Sequence, residues 1–221
     1  MNKEVETFLK KIGFPYTIGY GMTECGPIIG YEDWSKHKLG SCGKTVPRME
    51  VKIDSADPAK IVGEILVRGA NVMMGYYKNE EATKAAFTED GWLRTGDLGL
   101  KDKNGNIYIK GRSKNMILGA NGQNIYPEEI EDVLNSLEYV NESLVKEDNG
   151  KLVALVFLDQ DRLDSKHISS SSYSEILEQI KQQANSQLAN YEQLSAVFIH
   201  EEEFEKTPKR SIKRYLYTTK R

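Results

Sequence analysis

GRSKNMILGANGQNIYPEEIE, residues 111–131, is the stretch on which the reading of this chain turns. Before it the sequence is glycine-rich and broken into short alternating segments. After it the pattern is regular and helical. Within it, Gly119 and Gly122 allow a backbone loop to pack closely against a ligand. Pro127 suits the first position of a helix, and Glu128 and Glu129 suit its positive N-terminal end. Ile130, Val133, Leu134 and Leu137 then fall on one face.

Downstream, the spacing predicts strands at about 142–147 and 151–158, joined by Asn149-Gly150. Ser172 and Glu175 have capping-box spacing, with Ser174 as the alternative cap. The helix they start carries Ile176, Leu177, Ile180, Ala184 and Leu188 on one side. A last strand, Ala196–His200, precedes a charged tail. Helix, strand, strand, helix, strand is a compact α+β unit, with an expected core of Ile130, Val133, Leu134, Val153, Leu155, Phe157, Ile180 and Val197.

Upstream, 1–14 reads as a helix with Val5, Phe8, Leu9 and Ile12 in one stripe, ended by Gly13 and Pro15. Residues 51–53, 64–69 and 106–111 look like strands. Asn104-Gly105 predicts a hairpin turn with positive φ at both positions, joining Leu98–Lys101 to Ile107–Lys110. One helix interrupts them, with Asn79 as its cap and Ala82–Phe87 as its body. The whole is α+β: a glycine-rich, mostly β part at 1–111 and a small α+β domain at 112–221, with no repeat and no long linker.

A chain of 221 residues allows one large domain or two small ones. Thirty basic against 33 acidic residues leave a net charge of -3, which argues against broad binding to nucleic acid or anionic membrane. No apolar run approaches the roughly 20 residues of a membrane span. The N-terminus, MNKEVETFLKK, is charged throughout and does not read as a signal peptide, so a cytoplasmic protein is expected. Cys25 and Cys42 are too few for a disulfide scaffold. The three histidines, His37, His167 and His200, lack metal-ligand spacing. Gly19-Tyr20-Gly21 and Gly43-Lys44-Thr45 only partly match nucleotide-binding loops, since Glu24 and Lys38 stand where glycines should be.

Three stretches carry candidate chemistry. In Tyr20-Gly21-Met22-Thr23-Glu24, the tyrosine offers a flat face for a base, Thr23 a hydroxyl for a phosphate and Glu24 a hard oxygen for Mg²⁺. The alternative is a glycine-rich turn with an exposed Thr-Glu pair. In DGWLRTGD (90–97), Asp97 could accept two hydrogen bonds from a ribose diol, or only cap local backbone. In the 111–131 stretch, Arg112 could donate two parallel hydrogen bonds to a diol or phosphate, or form a surface ion pair.

Taken together and in order, YGMTE, DGWLRTGD and GRSKNMILGANGQNIYPEEIE resemble the adenylate-forming superfamily, and within it the acyl-CoA synthetases. Residues 90–114 resemble the fatty-acyl-CoA synthetase signature. The resemblance implies that 1–111 is the C-terminal part of a large AMP-binding domain and 112–221 a small mobile domain. It implies Tyr20, with Gly21 beside it, against adenine, Thr23 at the adenylate phosphate, Glu24 on Mg²⁺, Asp97 on the ribose hydroxyls and Arg112 supporting it. Lys114 takes the hinge position, within a hinge at 112–114, and the Gly119–Gly122 loop lines the pantetheine tunnel. ATP/AMP, Mg²⁺ and CoA are the implied cofactors and co-substrates, with a fatty acid as the acyl donor.

The family also implies a catalytic lysine in the tail, Thr207-Pro208-Lys209-Arg210-Ser211-Ile212-Lys213-Arg214. Its usual Ser-Gly is here Ser211-Ile212, and the spacing from proline is one residue shorter. Lys213 is the choice, Lys209 the alternative, and a basic tail left in solvent the competing account. The family's phosphate-binding loop has no counterpart, because only 19 residues precede Tyr20. The expectation is therefore a C-terminal fragment of a fatty-acid–CoA ligase, inactive without the missing N-terminal part. Alternatives are a ligase for an aryl or amino acid, or a stand-alone nucleotide-binding or interaction module.

Overall fold

The computed structural model describes residues 3–119, 121–208 and 210–218. The chain divides into two compact units, Met1–Lys114 and Asn115–Arg221.

In the first unit, α1 (Lys3–Lys11) precedes a three-stranded antiparallel sheet of β1 (Tyr20–Gly21), β2 (Ile28–Tyr31) and β3 (Lys44–Thr45), ordered β1-β2-β3. A four-stranded antiparallel meander follows, made of β4 (Met49–Asp54), β5 (Gly63–Gly69), β6 (Leu93–Lys101) and β7 (Ile107–Arg112). Strand β4 alternates strictly. Met49, Val51 and Ile53 point into a core shared with Ile65, Val67, Leu93, Ile107, Cys25 and Ile29. Each fully buried aliphatic side chain of this kind contributes about 1.5–3 kcal/mol. Between β5 and β6 lies α2 (Glu80–Ala86), whose first turn is capped as expected: Asn79 Oδ1 accepts from the Ala82 N–H at 3.0 Å.

The second unit opens with a two-stranded hairpin, β8 (Ile117–Leu118) and β9 (Asn124–Ile125). Then come α3 (Pro127–Leu134), β10 (Val140–Asp148), β11 (Lys151–Leu158), α4 (Gln160–Ser165), α5 (Tyr173–Gln187) and β12 (Ala196–Ile199). The sheet order is β10-β11-β12. The first pair is antiparallel and the second parallel, as a helical crossover requires. Asn149 and Gly150 both take positive φ (51° and 77°), giving the tight two-residue turn their sequence predicts.

Several expectations change. On β11 the main cluster takes Leu152, Ala154, Val156 and Leu158; of the expected Val153, Leu155 and Phe157, Val153 is buried outside that cluster and the other two are half-buried. The period of a strand is two, so a one-residue error in phase inverts the face. The α1 stripe is also inverted: Val5, Phe8 and Ile12 are exposed while Glu6 is buried. Glu6 turns inward because its carboxylate accepts from the Gly40 N–H at 2.9 Å and lies 3.0 Å from His37 Nε2. At the β6–β7 turn only Gly105 has positive φ. Asp102 holds that loop instead, accepting from the N–H groups of Asn104 and Asn106. Ser172 precedes α5 without a side-chain cap bond, because a 3₁₀ turn over Ser170–Ser172 leads straight into the helix. Helix α4, capped by Asp159, was not foreseen. No helix among the described residues is long and apolar enough to cross a membrane.

Candidate functional site

The first unit brings Tyr20, Asp97 and Arg112 together, although the first two stand 77 residues apart. Their meeting depends on a bulge in β6. Glu64 pairs with Leu98 and Leu66 with Arg94, so Thr95, Gly96 and Asp97 stand against Ile65 alone. Gly96 supplies the left-handed turn (φ 69°) that this insertion needs. The strand groups it displaces are recovered locally. The Thr95 hydroxyl donates to the Ile65 carbonyl at 2.7 Å and accepts from the Asp97 N–H at 3.0 Å, and the Gly96 N–H donates to Glu64 Oε1 at 3.2 Å.

The bulge leaves Asp97 buried, at 8% exposure, and opposite Arg112 on β7. Arg112 Nη1 donates to Asp97 Oδ1 at 2.5 Å, and the Tyr20 hydroxyl donates to Asp97 Oδ2 at 2.7 Å. A carboxylate has about four lone-pair positions, so two bonds leave acceptor capacity for incoming hydroxyls. Burial, and the Asp97 charge after it, push the Tyr20 phenol far above its ordinary range, so it stays a neutral donor. The Tyr20 ring packs half-buried against the core.

Gly21 has a structural reason to be glycine. A Cβ there would lie 2.1 Å from the Pro27 carbonyl oxygen. That close approach lets Pro27 accept from the Met22 N–H at 2.8 Å and folds 22–27 into a compact turn. Thr23 and Glu24 sit in its 3₁₀ segment, Thr23–Cys25, with Thr23 exposed and Glu24 half-buried. Glu24 Oε1 accepts from the Tyr76 hydroxyl at 3.1 Å. Burial, then the Glu24 charge, raise the neighbouring Cys25 thiol to about 11. Among the described residues there is no cluster of three or more His, Cys, Asp or Glu able to hold a metal. Glu24 alone would offer a carboxylate oxygen to Mg²⁺, a hard cation that takes oxygen ligands and is often held by one or two carboxylates beside phosphate.

Lys114 is exposed in a 3₁₀ turn, Ser113–Asn115, at the end of the first unit. In the second unit, Gly119 and Gly122 close the β8–β9 loop, with the Gly122 N–H donating to the Gly119 carbonyl at 2.8 Å. Gly122 has φ 77° and open space around it, whereas a Cβ at Gly119 would press on Asn121, Gln123 and Ile125. Lys213 lies on a short hairpin in which its N–H donates to the Glu205 carbonyl and the Thr207 N–H to the Ser211 carbonyl, both at 2.8 Å. Its ammonium contacts Glu205 Oε2 at 3.0 Å, which raises its pKa. The alternative, Lys209, falls outside the described residues. The described tail is thus folded rather than left loose in solvent.

Sequence reasoning passed over Thr95, Tyr76 and Glu205. Thr95 alone had a local signal, a hydroxyl two residues before the key aspartate; the other two are brought in by tertiary contact.

A buried carboxylate flanked by a guanidinium and a phenol keeps lone pairs that can accept further hydrogen bonds. Comparison with known proteins identifies the class. Residues 1–77 match the AMP-binding enzyme family and residues 114–220 the AMP-binding enzyme C-terminal domain. The chain belongs to the AMP-binding enzymes. It is 40% identical over 176 residues to the peroxisomal long chain acyl-CoA synthetase 6 of Arabidopsis thaliana, covering 75% of this chain and 25% of that protein. It is 45% identical over 141 residues to 2-succinylbenzoate–CoA ligase of Bacillus pumilus, covering 61% of this chain and 28% of that one. Among solved structures, o-succinylbenzoate CoA synthetase of Bacillus subtilis in complex with its acyl-adenylate intermediate superposes with a TM-score of 0.82 at 31% identity. That match covers 100% of this chain and 44% of the other. The chain spans about a quarter of the length of the curated relatives it matches.

Proposed function

We propose that this chain is the C-terminal portion of an ATP-dependent, AMP-forming acid–CoA ligase, and that its acid is a fatty acid. The observation that carries the ligase reading is Asp97, a buried acceptor aimed by the β6 bulge and held by Tyr20 and Arg112. Its free lone pairs suit the two hydroxyls of a ribose.

In the proposed reaction a carboxylate oxygen of the acid attacks the α-phosphorus of ATP, and pyrophosphate leaves. The CoA thiolate then attacks the acyl carbon, and AMP leaves. Asp97 and Arg112 hold the ribose, and the Tyr20 ring borders the base. Thr23 lies at the phosphate. Glu24 holds Mg²⁺, which when bound supplies neutralisation of charge on the phosphate oxygens. Lys213 exchanges Glu205 for the α-phosphate and stabilises the charge that develops there. The segment 112–114, with Lys114 at its end, serves as the hinge between a large AMP-binding domain and a small mobile one. The Gly119–Gly122 loop borders the pantetheine path. The triphosphate cradle would come from the part of the relatives that this chain does not span, and the protein would work in the cytoplasm.

The fatty-acid assignment is supported by the 90–114 stretch and by long-chain ligases of Mycobacterium, Saccharomyces and Bacillus among the relatives. An arylcarboxylate is the second reading, favoured by the 45% identity to 2-succinylbenzoate–CoA ligase. Calorimetry with non-hydrolysable acyl-adenylate analogues tests both. Binding that the Asp97→Asn chain loses supports the adenylate site, and the tighter of a hexadecanoyl and an aryl analogue names the acid. Failure of both analogues and of AMP to bind would remove the ligase reading.

A further inference from the structure

This inference rests on the reading of Lys213 as the lysine that meets the adenylate. It concerns what holds that lysine in place. Strand β10 is the edge of its sheet. In antiparallel pairing a residue presents both backbone groups to the same side, and those of Val145, opposite Ala154, point off the free edge. No strand among the described residues receives them. The Val145 N–H donates to Glu131 Oε1 at 2.6 Å, and its carbonyl accepts from Arg214 Nη2 at 2.7 Å. Arg214 Nη1 closes the ring, donating to Glu131 Oε1 at 2.7 Å and Oε2 at 2.8 Å. The two side chains are only 16% and 10% exposed, a degree of burial that an ion pair tolerates when its remaining hydrogen bonds are met.

The residue pinned in this way is the immediate neighbour of Lys213. The hairpin that carries Lys213 is short: the Lys213 N–H donates to the Glu205 carbonyl, the N–H groups of Thr207 and Arg210 donate to the carbonyls of Ser211 and Thr207, and Lys206 bridges to Ile212; outside it, Lys206 pairs with Glu142 of β10 and the Glu205 N–H donates to the Tyr217 hydroxyl. A two-stranded hairpin of that size is marginal in water without an anchor. Lys213 itself is free to change partners, because its ion pair to Glu205 is with a carboxylate that is 64% exposed. The pinned residue and the exchangeable side chain are therefore adjacent in the chain.

We propose that Glu131 and Arg214 form the positioning clamp of Lys213. The pair stands in for a missing strand at the edge of β10 and fixes the Lys213 backbone to α3 and the sheet. The ammonium then reaches its anionic partner from a set origin. Neither residue touches substrate.

The test is residue-resolved amide exchange on the purified chain. In Arg214→Gln the Lys213 amide should exchange at least about tenfold faster, with the β11 amides unchanged. Arg214→Lys, which keeps the charge but loses the fork, should recover part of the protection. Unchanged exchange at Lys213 in Arg214→Gln overturns the clamp. If that variant also loosens β11, then Arg214→Lys and Glu131→Gln decide: Lys213 loosened over an intact β11 supports the proposal, and Lys213 still protected overturns it. In the ligase that carries this chain, Arg214→Lys should lower kcat of adenylation about tenfold with KM for ATP within about twofold, and spare thioester formation from supplied acyl-adenylate. Equal losses in both half-reactions overturn the positioning role. A wild-type protein with no adenylation counts against the ligase reading, while amide exchange still decides the clamp.

Discussion

Asp97 and Arg112 face each other across β6 and β7 as a directly opposed pair, Nη1 2.5 Å from Oδ1. They meet only because Thr95 and Gly96 insert a bulge just before the aspartate. The two motifs in which they occur, DGWLRTGD and the start of GRSKNMILG, are thus two sides of one antiparallel ladder. Arg112 neutralises a carboxylate that is buried and would otherwise carry a heavy desolvation cost.

Asp97→Asn should weaken AMP binding by about 10- to 100-fold, the loss expected when a charged acceptor gives up its hydrogen bonds. The new amide would also point a donor at Arg112 or Tyr20. Titration calorimetry on the purified chain measures this. Unchanged affinity would take Asp97 out of the site.

Gly96→Ala should destabilise the first unit by about 1–2 kcal/mol, the cost of a left-handed backbone for an L residue. No clash contributes, since the nearest atom to a Cβ there is Arg112 Nη2 at 3.8 Å. Gly21→Ala should cost about 1–3 kcal/mol for a different reason, overpacking against the Pro27 carbonyl. Urea midpoints separate the two from wild type, and equal stability in Gly96→Ala would mean that the bulge is relaxed in solution.

Burial pushes Glu131 from its ordinary 4.5 up to about 7, against the pull of Arg214. The folded state then holds this proton more tightly than the unfolded chain. Unfolding releases it between those two values, so the contribution of Glu131 to stability is fully present below about 4.5 and falls as pH rises through 7. Glu131→Gln has no such titration. The stability of wild type relative to Glu131→Gln should therefore decline from about pH 5 to about pH 8 in urea unfolding. A difference that grows with pH would mean that Arg214 outweighs burial.

In the complete ligase, Lys213→Ala should cut adenylation at least about 100-fold and leave thioester formation from supplied acyl-adenylate within severalfold. Lys114→Pro should do the reverse, sparing adenylation and impairing thioester formation, because proline restricts the backbone at the hinge. Pyrophosphate exchange and thiol-consumption assays read the two steps. A loss shared equally by both steps in Lys114→Pro would remove the hinge assignment.

Much of the secondary structure was legible in the sequence because its signals are local. Asn79 caps α2, Pro127 opens α3 and Asn149-Gly150 turns β10 into β11, each through a conformation or bond confined to a few residues. The ordered motifs likewise carry the resemblance to the family within the sequence itself. What was misread depended on which side of an element meets the core. Leu152, Ala154, Val156 and Leu158 alternate with Val153, Leu155 and Phe157, and both sets are apolar, so composition cannot choose between them. In α1 the apolar stripe suggested the inward face, yet Glu6 took it because His37 and Gly40 wait there to bond it.

The sequence by itself put forward the candidate ligands, Tyr20, Thr23, Glu24, Asp97, Arg112 and Lys213 (with Lys209 as the alternative), since a short motif states residue type and order. Only the tertiary structure decided their partners: Tyr20 against Asp97 across 77 residues, Tyr76 against Glu24 across 52, and Arg214 against Glu131 across 83. Contacts of that span are set by how strands register and how a buried charge finds its counterion. Both are properties of the packed chain, and no short window of residues contains them.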